Sequence, residues 1–382
     1  MKRAAPFAAL AFLASTLAML VSCTELGAWD LIADAEMRLE LLRRPGKRVA
    51  IGLSGLAQAT TLTDFPILVR LSEGAPPGFS YSDCSLDGFD VVFTAEDGTP
   101  LAHELEQWNN PAGESVFWVK VPSIAASPGT TTIYMHWDAE FPLDSSDPPA
   151  VWSNGYVAVF HGNRTEDGTG WMDSTGRHIG TSDSDVKTAE QILDGDIGNA
   201  FSLTLPAAGI LVPESPSLIN LGPMTFEILV RDEGTASPQL LLSKGNTRIS
   251  LSNARVPLVS AEYSPDILWA EGPTLWTAGD WRSIAIVWHD STGMESTLGF
   301  WEGGTKRSSA TGGESETRIT DEGNHLVIGN KYPPSIMPSS KLAADLDEIR
   351  ISNVARSDDW MRASYMTQSG TGILFDTVEE TP

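Results

Sequence analysis

The amino-acid sequence predicts an all-β protein: two β-sandwich domains closed by a short C-terminal helix. Three observations lead there. From Lys47 onward, short runs rich in Val, Ile, Phe, Tyr and Trp alternate with clusters of Gly, Pro, Asp and Ser. Few stretches sustain a helical period. A Pro- and Asp-rich joint from Phe141 to Ala150, containing Pro142, Pro148 and Pro149, divides the β texture in two.

Taken in order, the chain opens with Lys2 and Arg3 and an uncharged apolar run from Ala4 to Leu20. A positive start followed by an apolar stretch shorter than the roughly 20 residues of a membrane span reads as a secretory signal, residues 1–22. Residues 23–45 read as a tether. Trp29–Arg44 leans to a short helix, although Met37, Leu39 and Leu41 alternate with charged residues in strand fashion, and Pro45-Gly46 ends it. The first sandwich, residues 46–152, is expected to hold strands at Arg48–Leu53, Phe65–Leu71, Asp90–Thr94, Ser115–Val121 and Thr130–Trp137. Asp97-Gly98 marks a hairpin turn. The second, residues 153–356, continues through Tyr156–His161, Ala200–Leu205, Thr225–Arg231, Gln239–Ser243, Arg248–Ser252, Trp281–Trp288, Thr297–Glu302, His325–Gly329 and Asp347–Ser352. In the closing segment, residues 357–382, Ser357 is placed to cap a helix that has Asp358 and Asp359 in its first turn.

The formal net charge is -25 over 382 residues. Such a surface repels phosphate backbones, which argues against nucleic-acid binding. With Cys23 and Cys84 the only cysteines and the six histidines scattered, neither a disulfide framework nor a structural zinc site is expected. Cys84 reads as a small buried hydrophobe.

Signatures of catalysis are scarce: the sequence has no Gly-x-Ser-x-Gly elbow, no His-Glu-x-x-His and no phosphate loop. Glu104 and Glu106 fall on one strand face, about 7 Å apart at strand rise. They read as a solvated face opposite Leu105, with acid–base work in a glycosidase as the rival. Asp345, Asp347 and Glu348 crowd the last strand, and Glu348 and Arg350 are spaced for a local ion pair. Trp281 and Trp288 sit in apolar alternation and read as core. Trp269 and Trp276 flank the Gly272-Pro273 turn and are the candidates for an exposed platform that stacks on a sugar ring, against a core role.

Four resemblances extend this reading. Leu20-Val21-Ser22-Cys23 resembles the lipobox of bacterial lipoproteins, which implies cleavage before Cys23, lipid on its thiol and a membrane anchor; Thr24 in place of Asp favours the outer membrane. Residues 46–152 resemble an uncharacterised bacterial domain family through Leu62–Val69, Gly88–Thr94, His103–Trp108, Val116–Pro122 and Ile133–Trp137, although Asp138 stands where that family has Gly. The family also occurs in extensions of TolQ- and ExbB-like proton-channel proteins, which implies an envelope setting. Residues 155–355 resemble a laminin-G-like, concanavalin-A-type jelly roll through Phe160-His161, Asp173–Gly176, Ile197–Phe201, Val212–Leu218 and the closing Leu346–Arg356. That resemblance implies a glycan or protein ligand. It also implies a structural calcium between an early loop and the closing strand, with Glu166, Asp173 and Asp347 as ligands; the bland alternative is that these acids are turn residues. The last strand is also similar to the acid-bearing strand of jelly-roll glycosidases, but its spacing differs from theirs. The expectation is therefore a non-catalytic, lipid-anchored binding protein. The rivals are a polysaccharide hydrolase and a structural partner of a proton-channel complex.

Overall fold

A computed structural model describes residues 46–376 and 379–381, except 57, 109–112, 139–143, 184–185, 205–207, 233–238, 246, 252–256, 265–266, 272–278, 290–295, 313–316, 319 and 330–341. The leader, the tether with Cys23, and Trp276 lie outside the described residues.

The architecture is all-β, as expected. In the first sandwich, β1 (Gly46–Leu53), β3 (Val92–Ala95) and β6 (Thr131–Trp137) form one sheet. It packs on a second sheet of β2 (Leu62–Ser72), β4 (His103–Gln107) and β5 (Glu114–Ile124). Alternation sets the inward face: Val49, Ile51 and Leu53 of β1 meet Ile67 and Val69 of β2 in one apolar cluster. The chain's end returns here. Strands β25 (Ile373–Phe375) and β26 (Glu379–Thr381) pair antiparallel with β1, so the C-terminal tail completes the first sandwich rather than trailing from the second.

Among the described residues, the second sandwich has two eight-stranded sheets, the layers of a jelly roll. One holds β7 (Tyr156–Phe160), β11 (Glu190–Ile192), β12 (Ala200–Ser202), β14 (Met224–Asp232), β19 (Trp281–His289), β20 (Ser296–Glu302), β21 (Thr305–Gly312) and β24 (Ala344–Ser352). The other holds β10 (Lys187–Thr188), β13 (Ala208–Val212), β15 (Gln239–Lys244), β16 (Thr247–Leu251), β17 (Pro257–Ser264), β18 (Ile267–Glu271), β22 (Thr317–Arg318) and β23 (Leu326–Ile328). A small hairpin of β8 (Trp171–Met172) and β9 (Ile179–Gly180) lies outside both. Phe226, Ile228 and Val230 of β14 face Ile210, Leu242 and Ile249 across the core.

The outer face of the β14 sheet is also covered. Leu229, Ala285, Val287 and Trp301 on that face join the apolar cluster of the first sandwich. So do Trp360, Met361 and Ala363 of the C-terminal helix α2 (Asp358–Gln368), which Ser357 caps as expected by accepting from the Trp360 amide. The Pro-rich joint contributes a short helix, α1 (Pro148–Val151), capped by Asp147. The sheet that holds β24, a strand with every residue buried, thus lies between the first sandwich and the other jelly-roll sheet.

Candidate functional site

Two irregularities in the strands build a polar centre at this junction. In β24, Leu229 pairs with Asp347 and Glu227 pairs with Arg350, so three steps on one strand match two on the other. The extra residue is Glu348, whose φ of 50° is left-handed backbone, as one class of bulge uses. Leu346 and Ile349 therefore both point into the jelly-roll core while Asp347 and Glu348 share the outer side. In β4, Leu105 pairs with Phe117 and Gln107 with Val116, which leaves Glu106 as the extra residue. The two bulges meet across the junction with His161, the residue after β7, between them.

The distances are short. His161 Nδ1 is 2.6 Å from Glu348 Oε1 and 3.6 Å from Glu106 Oε2; Nε2 is 3.4 Å from Glu104 Oε2. Glu104 also accepts from the Trp152 indole at 2.5 Å and the Ser174 hydroxyl at 2.6 Å, and Glu106 accepts from the Trp118 indole at 2.7 Å. The His161 ring stacks on Trp118 at 5.8 Å, and the Arg350 guanidinium lies 5.2 Å from the Trp118 ring centre. Glu227, from β14, takes a hydrogen bond from Ser364 at 2.8 Å. Glu104, Glu106, His161 and Glu348 are 4 %, 8 %, 1 % and 0 % exposed. This reverses the expected solvated face for Glu104 and Glu106, because the second sandwich covers it.

Burial and mutual repulsion dominate the electrostatics. Burial, with Glu348 and Asp347 adding to it, holds the Glu106 carboxyl well above the usual carboxylate range despite His161. Burial and the Glu348 charge do the same for Asp347. Burial opposes charge on His161, but Glu348, Glu104 and Glu106 together raise its pKa well above that of a free imidazole. For Glu104, burial is outweighed by the His161 charge and by hydrogen bonds from His161, Ser174 and Trp152, so its carboxyl is held low.

The acids expected to hold calcium are not brought together. Glu166 is exposed on the turn before β8. Asp173 is buried, and its oxygens already accept from the amides of Val159, Thr175 and His178 and from the Thr175 hydroxyl. Asp347 accepts from the amides of Asp196, Ile197 and Glu348. Asp173 and Asp347 both act as receptors for backbone N–H groups, which leaves them few lone pairs for a cation. Among the described residues, the group whose ligand atoms all lie within 4.8 Å of one another is instead Glu106, His161 and Glu348. Trp269 lies in β18. Asp345, placed by the sequence beside Asp347, instead pairs with Arg231 at 2.7 Å. Cys84 is half-buried, and burial pushes its thiol up.

A cleft of about 490 Å³ opens beside the centre, where both sandwiches and α2 meet. Arg70 comes from β2, Trp281 and Ser283 from β19, and Tyr365 and Gln368 from α2, with Asp196 on the loop before β12. Arg70 is held by Glu114 at 2.8 Å and donates to the Asp196 carbonyl at 2.8 Å. Trp281, expected in the core, is only half-buried, with Arg231 4.8 Å from its ring centre. Asp196 links the two features, since its amide donates to Asp347 Oδ2 at 3.0 Å.

Comparison with known proteins adds the following. Residues 87–174 match the model of a domain of unknown function, DUF2341. The match starts later than the expected first domain and runs past the joint, so that it spans Glu104, Glu106, Trp118, Trp152 and His161. No curated protein sequence matches the chain. Among solved structures, the binding domain of Paraclostridial Mosquitocidal Protein 1 is similar at 14% identity and a TM-score of 0.43, over 56% of this chain and 52% of that one. The receptor binding domain of botulinum neurotoxin D is similar at 9% identity and 0.42, over 56% and 53%. A Trypanosoma rangeli sialidase in complex with the inhibitor DANA is similar at 13% identity and 0.41, over 67% and 41%. The chain thus spans about half the length of the first two structures it matches.

Proposed function

We propose that this chain is a non-catalytic binding protein of the cell envelope, anchored through lipid on Cys23, that takes a neutral glycan in the cleft between its sandwiches. The cleft carries the reading. Trp281 and Tyr365 offer aromatic faces for the apolar side of a sugar ring. Ser283, Gln368 and the Asp196 carboxylate offer hydroxyl-binding groups on rigid strands and a helix, which is the composition of a small-molecule site. The net charge of -25 disfavours polyanionic glycans. Against hydrolysis, Glu104 and Glu106 are buried and already hold indole and hydroxyl donors, whereas a general acid must reach the glycosidic oxygen.

The test is a glycan array with the purified protein, followed by titration of the best ligand. Trp281→Ala should weaken binding at least about tenfold, the scale of 1.4 kcal/mol. Wild-type silence on the array, or turnover of a polysaccharide, would overturn the reading. The anchor is tested separately: Cys23→Ala should move the protein from the detergent phase to the aqueous phase, because stable anchoring needs the acyl chains.

A further inference from the structure

We propose that the junction between the sandwiches is a metal centre in which Glu106, His161 and Glu348 ligate one divalent transition-metal ion. The three residues come from β4, the end of β7 and β24, and their ligand atoms all lie within 4.8 Å of one another. Ligands about 2.0–2.2 Å from a zinc-sized ion stand about 3 to 4 Å apart, so the gathering needs little adjustment. All three side chains are more than nine-tenths buried, and each carboxylate keeps one oxygen without a hydrogen-bond partner among the described residues: Oε1 of Glu106 and Oε2 of Glu348. A buried carboxylate oxygen left so is costly unless a cation or a proton meets it.

The surroundings have the form that supports a metal-bound imidazole. With Nδ1 toward Glu106 and Glu348, the other ring nitrogen of His161 faces Glu104 Oε2 at 3.4 Å. Glu104 is itself fixed by Trp152 and Ser174. A carboxylate behind the distal nitrogen orients the ring and raises its basicity. Trp118 fixes Glu106 by donating to Oε2 at 2.7 Å, the oxygen 3.6 Å from His161 Nδ1, and leaves Oε1 without a hydrogen-bond partner among the described residues. Charge points the same way. Glu104, Glu106 and Glu348 surround one imidazole, while the Arg350 guanidinium lies 3.9 Å from Glu348 and also faces Glu227 at 3.6 Å. A divalent ion would neutralise this excess of buried carboxylate over buried cation. One imidazole with two carboxylates suits zinc and its neighbours better than calcium, which prefers six to eight oxygens. The ion would tie both bulges and both sandwiches together and so brace the Asp196 loop, but the proposal does not depend on what the cleft binds.

The experiment uses the full chain purified in detergent. Metal content is read by mass spectrometry after gel filtration; the chelator-stripped protein is then titrated with zinc, cobalt and calcium chlorides. Stoichiometric zinc or cobalt uptake is expected, with visible cobalt bands that zinc abolishes and a rise in melting temperature. Glu106→Gln and Glu348→Gln, checked for folding by circular dichroism, should lose that uptake, and Glu104→Gln should weaken it by about 10–100-fold. The proposal falls if the stripped, folded wild type takes up neither zinc nor cobalt, or if both ligand variants bind as well as wild type. It falls too if calcium binds as tightly as zinc.

Discussion

His161 and Glu348 stand 187 positions apart in the chain, and Nδ1 of the one is 2.6 Å from Oε1 of the other. The contact joins the end of the strand that enters the second sandwich to the strand that closes it. Glu104, from the first sandwich, meets the same imidazole from its other side. Removing one member of such a buried set leaves the rest uncompensated, and the cost is about 3–5 kcal/mol. Glu104→Ala should lose that much in urea unfolding. A loss below about 1 kcal/mol would mean that water reaches the site and the network is not a structural element.

The pH dependence of stability follows from the same groups, measured with a chelator present. The folded values of Glu106 and Asp347 are raised, so the fold keeps protons that the unfolded chain has released. Stability therefore falls as pH rises above the ordinary carboxylate range. His161 is raised too, so its contribution is complete below about 6.5 and is lost as pH climbs through its folded value. On the acid side two groups act the other way. Glu104, held low, gives stability that is lost as pH falls through its depressed value. Burial, with Arg48 adding to it, pushes His136 down to about 4, so the fold loses stability as pH drops from about 6.5 toward that value. Melting temperatures should thus fall as pH rises above about 6.5, and Glu106→Gln, which mimics the neutral carboxyl, should flatten that slope. Parallel profiles for wild type and variant would exclude the assignment.

The architecture was legible because alternation and turn residues are local signals. The strands of the first sandwich and the Ser357-capped helix lie where the pattern placed them, within a few residues. The polar centre was not legible, for a definite reason. Period two tells that Glu104 and Glu106 share a face opposite Leu105, but not that another domain covers that face. The bulges at Glu106 and Glu348 leave no mark in the alternation of a strand that is buried on both sides. A clue was present in Trp118 and Trp152, since a buried indole seeks an acceptor for its N–H and two nearby glutamates were on offer. Asp-rich turns serve backbone amides as readily as they serve calcium, and Asp173 accepts from the amides of Val159 and His178.

Gly198 should be intolerant of a side chain. Its φ is 56°, and a Cβ there would fall on Glu106 Oε1. Gly198→Ala combines backbone strain with displacement of the carboxylate, for a loss of about 1–3 kcal/mol. Thermal melts compared with those of Gly168→Ala separate the two effects, because Gly168 has a similar φ of 70° and open space around it. Equal losses at both sites would show that only the backbone conformation matters.

The two sandwiches should unfold as one unit. The apolar cluster of the first sandwich runs without interruption from Phe65 and Trp118 through Val151 and Trp152 to Leu229 and Val287 of the second. Helix α2 fastens the pair: Asp359 accepts from the amides of Ala59 and Thr60 at 2.9 and 3.0 Å, while Ser364 reaches Glu227 in the jelly roll. Trp360 stands at its centre, 6 % exposed, with its ring 4.6 Å from Phe65 and the Arg356 guanidinium 4.0 Å above it. Calorimetry of the wild type should give a single transition whose calorimetric and van't Hoff enthalpies agree. Trp360→Ala should cost about 3–5 kcal/mol by opening a cavity at the junction, and should split the transition in two as the coupling weakens. Two resolved transitions in the wild type itself would show that each sandwich is stable alone and that the shared core is only a contact between finished domains.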